Sequence, residues 1–117
     1  MSARILLCDD EAGVREMLGV LLRRAGYAVE VTASVNEAVA RIASAEPYDL
    51  VITDLVMPDG SGMRVLEAVR AREETTEVVM ITAYATTEQA VEAMRKGAYD
   101  YVQKPFGNEE FRATVEK

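Results

Sequence analysis

The sequence predicts a doubly wound α/β fold on a five-stranded parallel sheet. Three observations lead there. Short apolar runs alternate with amphipathic stretches of helical period along the whole chain, five of each. Leu50-Val51-Ile52 and Val78-Val79-Met80-Ile81 show no polar alternation, as strands covered on both faces require. Turn and capping residues separate the runs. Strands joined by helical crossovers run parallel, and right-handed connections leave few topologies; the spatial order 2-1-3-4-5 is a common one.

The first strand is Ile5-Leu6-Leu7-Cys8, which ends in Asp9-Asp10-Glu11. A helix follows, with Val14, Met17, Leu18, Leu21, Leu22 and Ala25 on one face and Gly26 as its stop. Tyr27 to Val31 alternates as a second strand. Ser34 and Glu37 have capping-box spacing, ahead of an apolar stripe of Val35, Ala38, Val39 and Ile42. Pro47 closes that helix. The third strand, the centre of the sheet, runs through Leu50, Val51 and Ile52 and stops near Thr53 or Asp54, because Pro58-Asp59-Gly60 breaks the chain and Pro58 followed by Gly60 and Gly62 is turn chemistry.

Val65, Leu66 and Val69 mark the third helix. Val78 to Ile81 is the fourth strand and ends in Thr82-Ala83. Thr86 and Gln89 form a second capping box before Ala90, Val91 and Met94, with Val91 and Met94 read as core and Gly97 as the stop. Tyr99 to Val102 is the fifth strand, followed by Lys104-Pro105. Asn108 caps a last helix, with Glu109 and Glu110 at the positive end of its dipole; that helix is cut short.

The 117 residues suit a single domain over 1–117, and half of them are apolar, so a sizeable core is available. Thirteen Lys and Arg against twenty Asp and Glu leave a formal charge of −7, which argues against gripping nucleic acid or an anionic membrane. The absence of histidine removes His metal sites and His general bases. A lone cysteine, Cys8, fits a reducing, cytoplasmic compartment and is expected to be an inert strand residue. No stretch is long enough to span a bilayer, and the first residues are too short an apolar run for a signal peptide.

In the order 2-1-3-4-5 the carboxyl ends of strands 1, 3, 4 and 5 share one rim, where ligands bind in open parallel sheets. On that rim would lie Asp9, Asp10, Asp54, Thr82 and Lys104. Carboxylates about 4 Å apart repel by roughly 4 kcal/mol per pair at an effective dielectric near 20. Either one stays protonated or a cation sits among them. With only oxygen ligands on offer the cation is hard, and Mg²⁺ with retained waters fits best. A metal-filled acidic pocket beside an ammonium suits phosphoryl transfer, with Asp54 as nucleophile because it ends the central strand.

Asp9-Asp10 after strand 1, Asp54 with Pro58-Asp59-Gly60 behind it, Thr82-Ala83 after strand 4 and Lys104-Pro105-Phe106 after strand 5 resemble the receiver domain of bacterial two-component response regulators. That family has the flavodoxin- or CheY-like (βα)5 fold, a familiar instance of the 2-1-3-4-5 order, so the order follows from the resemblance as much as from the alternation. The resemblance implies that Asp54 is the phosphoacceptor for a sensor histidine kinase. It implies that Asp10, Asp54 and the backbone carbonyl of Val56 bind Mg²⁺ directly and Asp9 through water. Thr82 and Lys104 would hold phosphoryl oxygens, and the Lys104-Pro105 peptide would be cis. Thr82 and Tyr101 would carry the switch, changing a face made of helix 4, strand 5 and helix 5.

The stretch from Ile81 to Phe106 is further similar to receivers that precede an AAA+ ATPase and a DNA-binding domain in NtrC-like transcription activators. The resemblance therefore implies an output domain beyond this chain and no enzyme activity beyond its own phosphotransfer and dephosphorylation; the oligomeric state stays open, a homodimer through the same face being one option. The alternative is a stand-alone receiver acting through protein–protein binding. A phosphatase of the haloacid-dehalogenase type would want a second acid two residues after the nucleophile, where Val56 stands. A flavodoxin-like cofactor binder would want a hydroxyl- and glycine-rich loop where Asp9-Asp10-Glu11 stands. A pseudo-receiver is not favoured, because all five site residues are intact.

Overall fold

The computed structural model describes residues 3–44, 46–72, 75–82, 87–103 and 115. Along the chain run β1 (Arg4–Cys8), α1 (Ala12–Arg24), β2 (Ala28–Thr32), α2 (Val35–Ser44) and β3 (Leu50–Asp54). They are followed by β4 (Val56–Met57), β5 (Gly60–Ser61), α3 (Met63–Arg72), β6 (Glu77–Thr82), α4 (Thr87–Arg95) and β7 (Asp100–Gln103). Five strands form one sheet in the order β2-β1-β3-β6-β7, every pair parallel. This is the 2-1-3-4-5 order expected. The Pro-Asp-Gly turn is more than a turn: β4 and β5 pair antiparallel as a small separate hairpin just after the central strand. Of the expected last helix only Val115 is described, and it is helical. Thr86, the expected cap of α4, lies outside the described residues.

Alternating side chains divide the core into two layers. Leu6, Cys8, Val51, Val78 and Met80 pack with Val35, Ala38 and Ile42 of α2 and Val65, Leu66 and Val69 of α3. Ile5, Leu7, Ile52, Val79 and Ile81 pack on the opposite face with Leu18 and Leu22 of α1. The unbroken apolar runs are thus two period-2 stripes laid back to back, one for each helical layer. All five residues of β3 are buried.

Helices end where expected, at Gly26 and Gly97, whose φ of 100° and 102° are left-handed values that side chains disfavour. Among the described residues, Met17, Val91 and Met94, expected inside, lie outside, as does Ala25 just after the end of α1. Met17 is 47% exposed because the inward line of α1 runs through Leu18 and Leu22, leaving it at the stripe's edge. Val91 and Met94 are 44% and 47% exposed, because α4 leans on the sheet through Ala93, which lies on another side of the helix. Among the described residues no helix is long and apolar enough to cross a membrane.

At the amino end of the strands a polar cluster ties three elements. Glu30 on β2 accepts from Arg4 at 2.9 Å, Arg41 at 2.5 Å and the Tyr48 hydroxyl at 3.0 Å. Arg4 also stacks 4.6 Å from the centre of the Tyr48 ring. Burial raises the Glu30 pKa, but the Arg4 and Tyr48 hydrogen bonds and the two cations outweigh it, and the net shift is downward.

Candidate functional site

Register brings the first carboxylates together. Cys8 of β1 pairs with Thr53 of β3, so the next residues, Asp9 and Asp54, leave adjacent strands side by side. Both continue the stripes that face α1: Asp9 follows Ile5 and Leu7, and Asp54 follows Leu50 and Ile52. They remain buried, at 0% and 5% exposure.

A third acid joins them from the start of α1. Glu11 occupies the N-cap position of that helix, yet its side chain makes no capping hydrogen bond. Its carboxylate instead gathers with those of Asp9 and Asp54, one oxygen from each lying within 4.8 Å of the others. The Glu11 backbone N–H donates to Asp9 Oδ1 at 2.9 Å, and Arg15 Nη1 donates to the Asp9 carbonyl at 2.8 Å. For the buried pair, two charges no more than 4.8 Å apart repel by roughly 3–4 kcal/mol or more at an effective dielectric near 20. Octahedral Mg²⁺ with oxygens at about 2.1 Å spans at most ~4.2 Å between opposite ligands, so these acids fit a hard cation reached partly through water. Asp10 stands outside the group and is exposed. Glu11 was not singled out as a ligand from the sequence. The only signal for it there is its place next to the Asp pair.

The hairpin after β3 closes one side. Val56 N–H donates to Asp54 Oδ1 at 3.3 Å, which puts the Val56 backbone against the acceptor carboxylate. Leu55 N–H donates to the Ile81 carbonyl at 3.0 Å and Gly62 N–H to the Leu55 carbonyl at 2.8 Å. A Cβ at Gly62 would fall 2.1 Å from the Asp54 carbonyl oxygen, so only glycine lets α3 start this close to the site. Asp59, at the hairpin tip, reaches α2: its carboxylate accepts from Val35 N–H at 3.0 Å and Asn36 N–H at 2.9 Å. Those backbone donors, Asn36 first, hold the Asp59 carboxyl below the usual carboxylate range.

Ile81 is the register partner of Asp54, and Thr82, buried, is the next residue along β6. Tyr101 lies on β7 opposite Met80, and its side chain is outside the described part of the structure. Lys104 and Pro105 are also outside the described residues. Cys8 is buried, its thiol pushed upward by burial, with Sγ 3.3 Å from the Ser34 carbonyl. This is the buried strand cysteine expected.

Comparison with known proteins points in one direction. A family model described as "Response regulator receiver domain" matches residues 5–116. The chain is 40% identical over 114 residues to regulatory protein AtoC of Escherichia coli (strain K12), covering 97% of this chain and 24% of that protein. It is 39% identical over 104 residues to the DNA-binding transcriptional regulator NtrC of Rhizobium meliloti (strain 1021), covering 89% and 21%. The chain thus spans about a quarter of these relatives' length. In three dimensions it superposes with a TM-score of 0.89 and 30% identity on the beryllofluoride-activated NtrC4 receiver domain dimer, covering 97% of this chain and 93% of that one.

Proposed function

Because this chain belongs to the response regulator receiver domain family, and so is a signalling switch of two-component systems, we propose that Asp54 is its phosphoacceptor. The observation that carries the reading is the meeting of Asp9, Glu11 and Asp54, with Asp54 at the carboxyl end of the fully buried central strand. Asp10, Asp54 and the Val56 carbonyl are the proposed direct ligands of Mg²⁺ and Asp9 one through water, with the Glu11 carboxylate beside Asp9 and Asp54 at the same site; when bound, the ion would offset charge on the carboxylates and on the incoming phosphoryl oxygens. An Asp54 carboxylate oxygen attacks phosphorus in line, the bond from phosphorus to the imidazole nitrogen of a kinase phosphohistidine breaks, and the freed imidazole keeps the electron pair. The product is an acyl phosphate. Val56 N–H, which donates to Oδ1, helps orient the carboxylate so that its other oxygen faces the incoming group. Thr82 and Lys104 are the partners assigned to the phosphoryl oxygens, and Thr82 and Tyr101 the pair that transmits the change.

The reading extends to a single receiver domain over 1–117 in the cytoplasm, with a sensor histidine kinase as phosphodonor. The output, transcription control of the NtrC-like kind, is read as lying on a further domain. The name of the NtrC relative, a DNA-binding transcriptional regulator, supports that output. Dimerisation through the face of α4, β7 and the last helix is part of the proposal. It is supported by exposed Val91 and Met94 on α4 and by the dimeric NtrC4 receiver. Acetyl phosphate with Mg²⁺ should give one acid-labile phosphate on the wild-type chain and none on Asp54→Asn, read by intact mass and mapping. Undiminished labelling of the variant would move the acceptor elsewhere.

A further inference from the structure

The geometry points to Asp59 as a positioning residue for the cation site, a role that rests on the function proposed above. Two of the contacts that hold the hairpin β4–β5 link the cation site to α2. At its base Val56 N–H donates to Asp54 Oδ1, and the Val56 carbonyl is a proposed metal ligand. At its tip both oxygens of Asp59 are held by the first two amides of α2, Val35 and Asn36, across 24 and 23 residues of sequence.

A two-residue ladder is too short to fix its own orientation in water. Its direction is therefore set by contacts outside the ladder: buried Met57 holds its first strand against the core, and Asp59 holds its tip. Helix α2 does not need Asp59 for its own cap in the usual sense, because Ser34 Oγ already accepts from Glu37 N–H at 3.1 Å and Glu37 reaches back to Ala33 N–H at 3.0 Å. The added carboxylate satisfies the two first-turn amides that this box leaves over, and in doing so clamps the hairpin to a helix packed on the sheet. Asp59 thus acts on the metal through the backbone of Val56, as partners one step removed from a metal orient its direct ligands.

The prediction separates clamp from cap. Two variants weaken the same helix start: Ser34→Ala removes the local cap and leaves the hairpin tied, whereas Asp59→Ala frees the hairpin and leaves the local cap. Mg²⁺ is titrated into each full chain without phosphodonor, following backbone amide signals, with circular dichroism to confirm folding. Asp59→Ala should bind Mg²⁺ about tenfold more weakly and shift the Val56 amide, while Ser34→Ala keeps wild-type affinity. Asp59→Asn, which keeps one acceptor oxygen, should show a smaller loss in the same direction and serves if the alanine variant does not fold. Wild-type affinity in the Asp59 variants, or an equal loss in Ser34→Ala, would reduce Asp59 to a helix cap and overturn the inference. A wild-type chain that ignores Mg²⁺ would overturn the metal site itself, a distinguishable failure.

Discussion

Gly62 shows how tightly single residues are placed around Asp54. Its missing side chain is replaced by the Asp54 carbonyl oxygen, 2.1 Å from where a Cβ would stand, and that neighbour is backbone. Gly62→Ala must displace either the end of β3 or the start of α3. Overpacking of this kind should destabilise the fold by about 1–3 kcal/mol in urea unfolding and sharply reduce phosphate uptake. An unchanged midpoint with full uptake would show that the loop yields freely. The sequence made Asp9 and Asp54 legible because each ends an apolar run, so that strand end and charge coincide. It marked Gly62 only as turn chemistry, since a close approach between non-neighbouring backbones leaves no local pattern. Glu11 was hidden differently: an acid at a helix start reads as a cap, and only coordinates show its carboxylate turned toward Asp9 and Asp54.

Among the elements, α2 is held most unusually, by its own Ser34–Glu37 box and by a carboxylate from beyond the central strand. The box was legible at three-residue spacing; the Asp59 contacts join residues more than twenty apart and were not. The exposure of Val91 and Met94 was illegible for a similar reason: spacing reveals an apolar stripe but not which side meets the sheet. Both Asp59 and Glu30 have carboxyl pKa values lowered by folding. A depressed folded value means that the stabilisation is complete above the ordinary carboxylate pKa near 4 and is lost as pH falls through the lower folded value. Unfolding midpoints should therefore hold steady from neutral pH to about 5 and drop below about 4. Over the same acid range the Val35 and Asn36 amide signals should titrate, and Asp59→Ala should remove that titration. A Val35 signal that titrates unchanged in the variant would assign the effect to another acid.

For the whole molecule, two helical layers press on one sheet, and the rim where that sheet ends carries acids brought close against their mutual repulsion. A cation that binds this arrangement and not the unfolded chain must raise stability by mass action, by about 2.7 kcal/mol at a hundredfold excess over its Kd. Thermal unfolding with and without Mg²⁺ should show that gain in the wild type. Asp9→Asn, which removes one buried charge, should be more stable without the ion and gain less from it. Equal gains in both would place the ion elsewhere. That the strands run parallel with helices on both faces was readable from the alternation of runs; their spatial order came as much from the family resemblance. The side chain of Tyr101 and all of Lys104 fall outside the described residues.

The clasp between the hairpin tip and α2 also works in reverse. Coupling free energy is symmetric, so anything that pries the leading turn of α2 off Asp59 must slacken the grip on magnesium by as much as magnesium tightens that turn. The helix is in that sense a handle: a neighbouring protein could turn the acceptor down by touching α2 alone, at a distance from any phosphate.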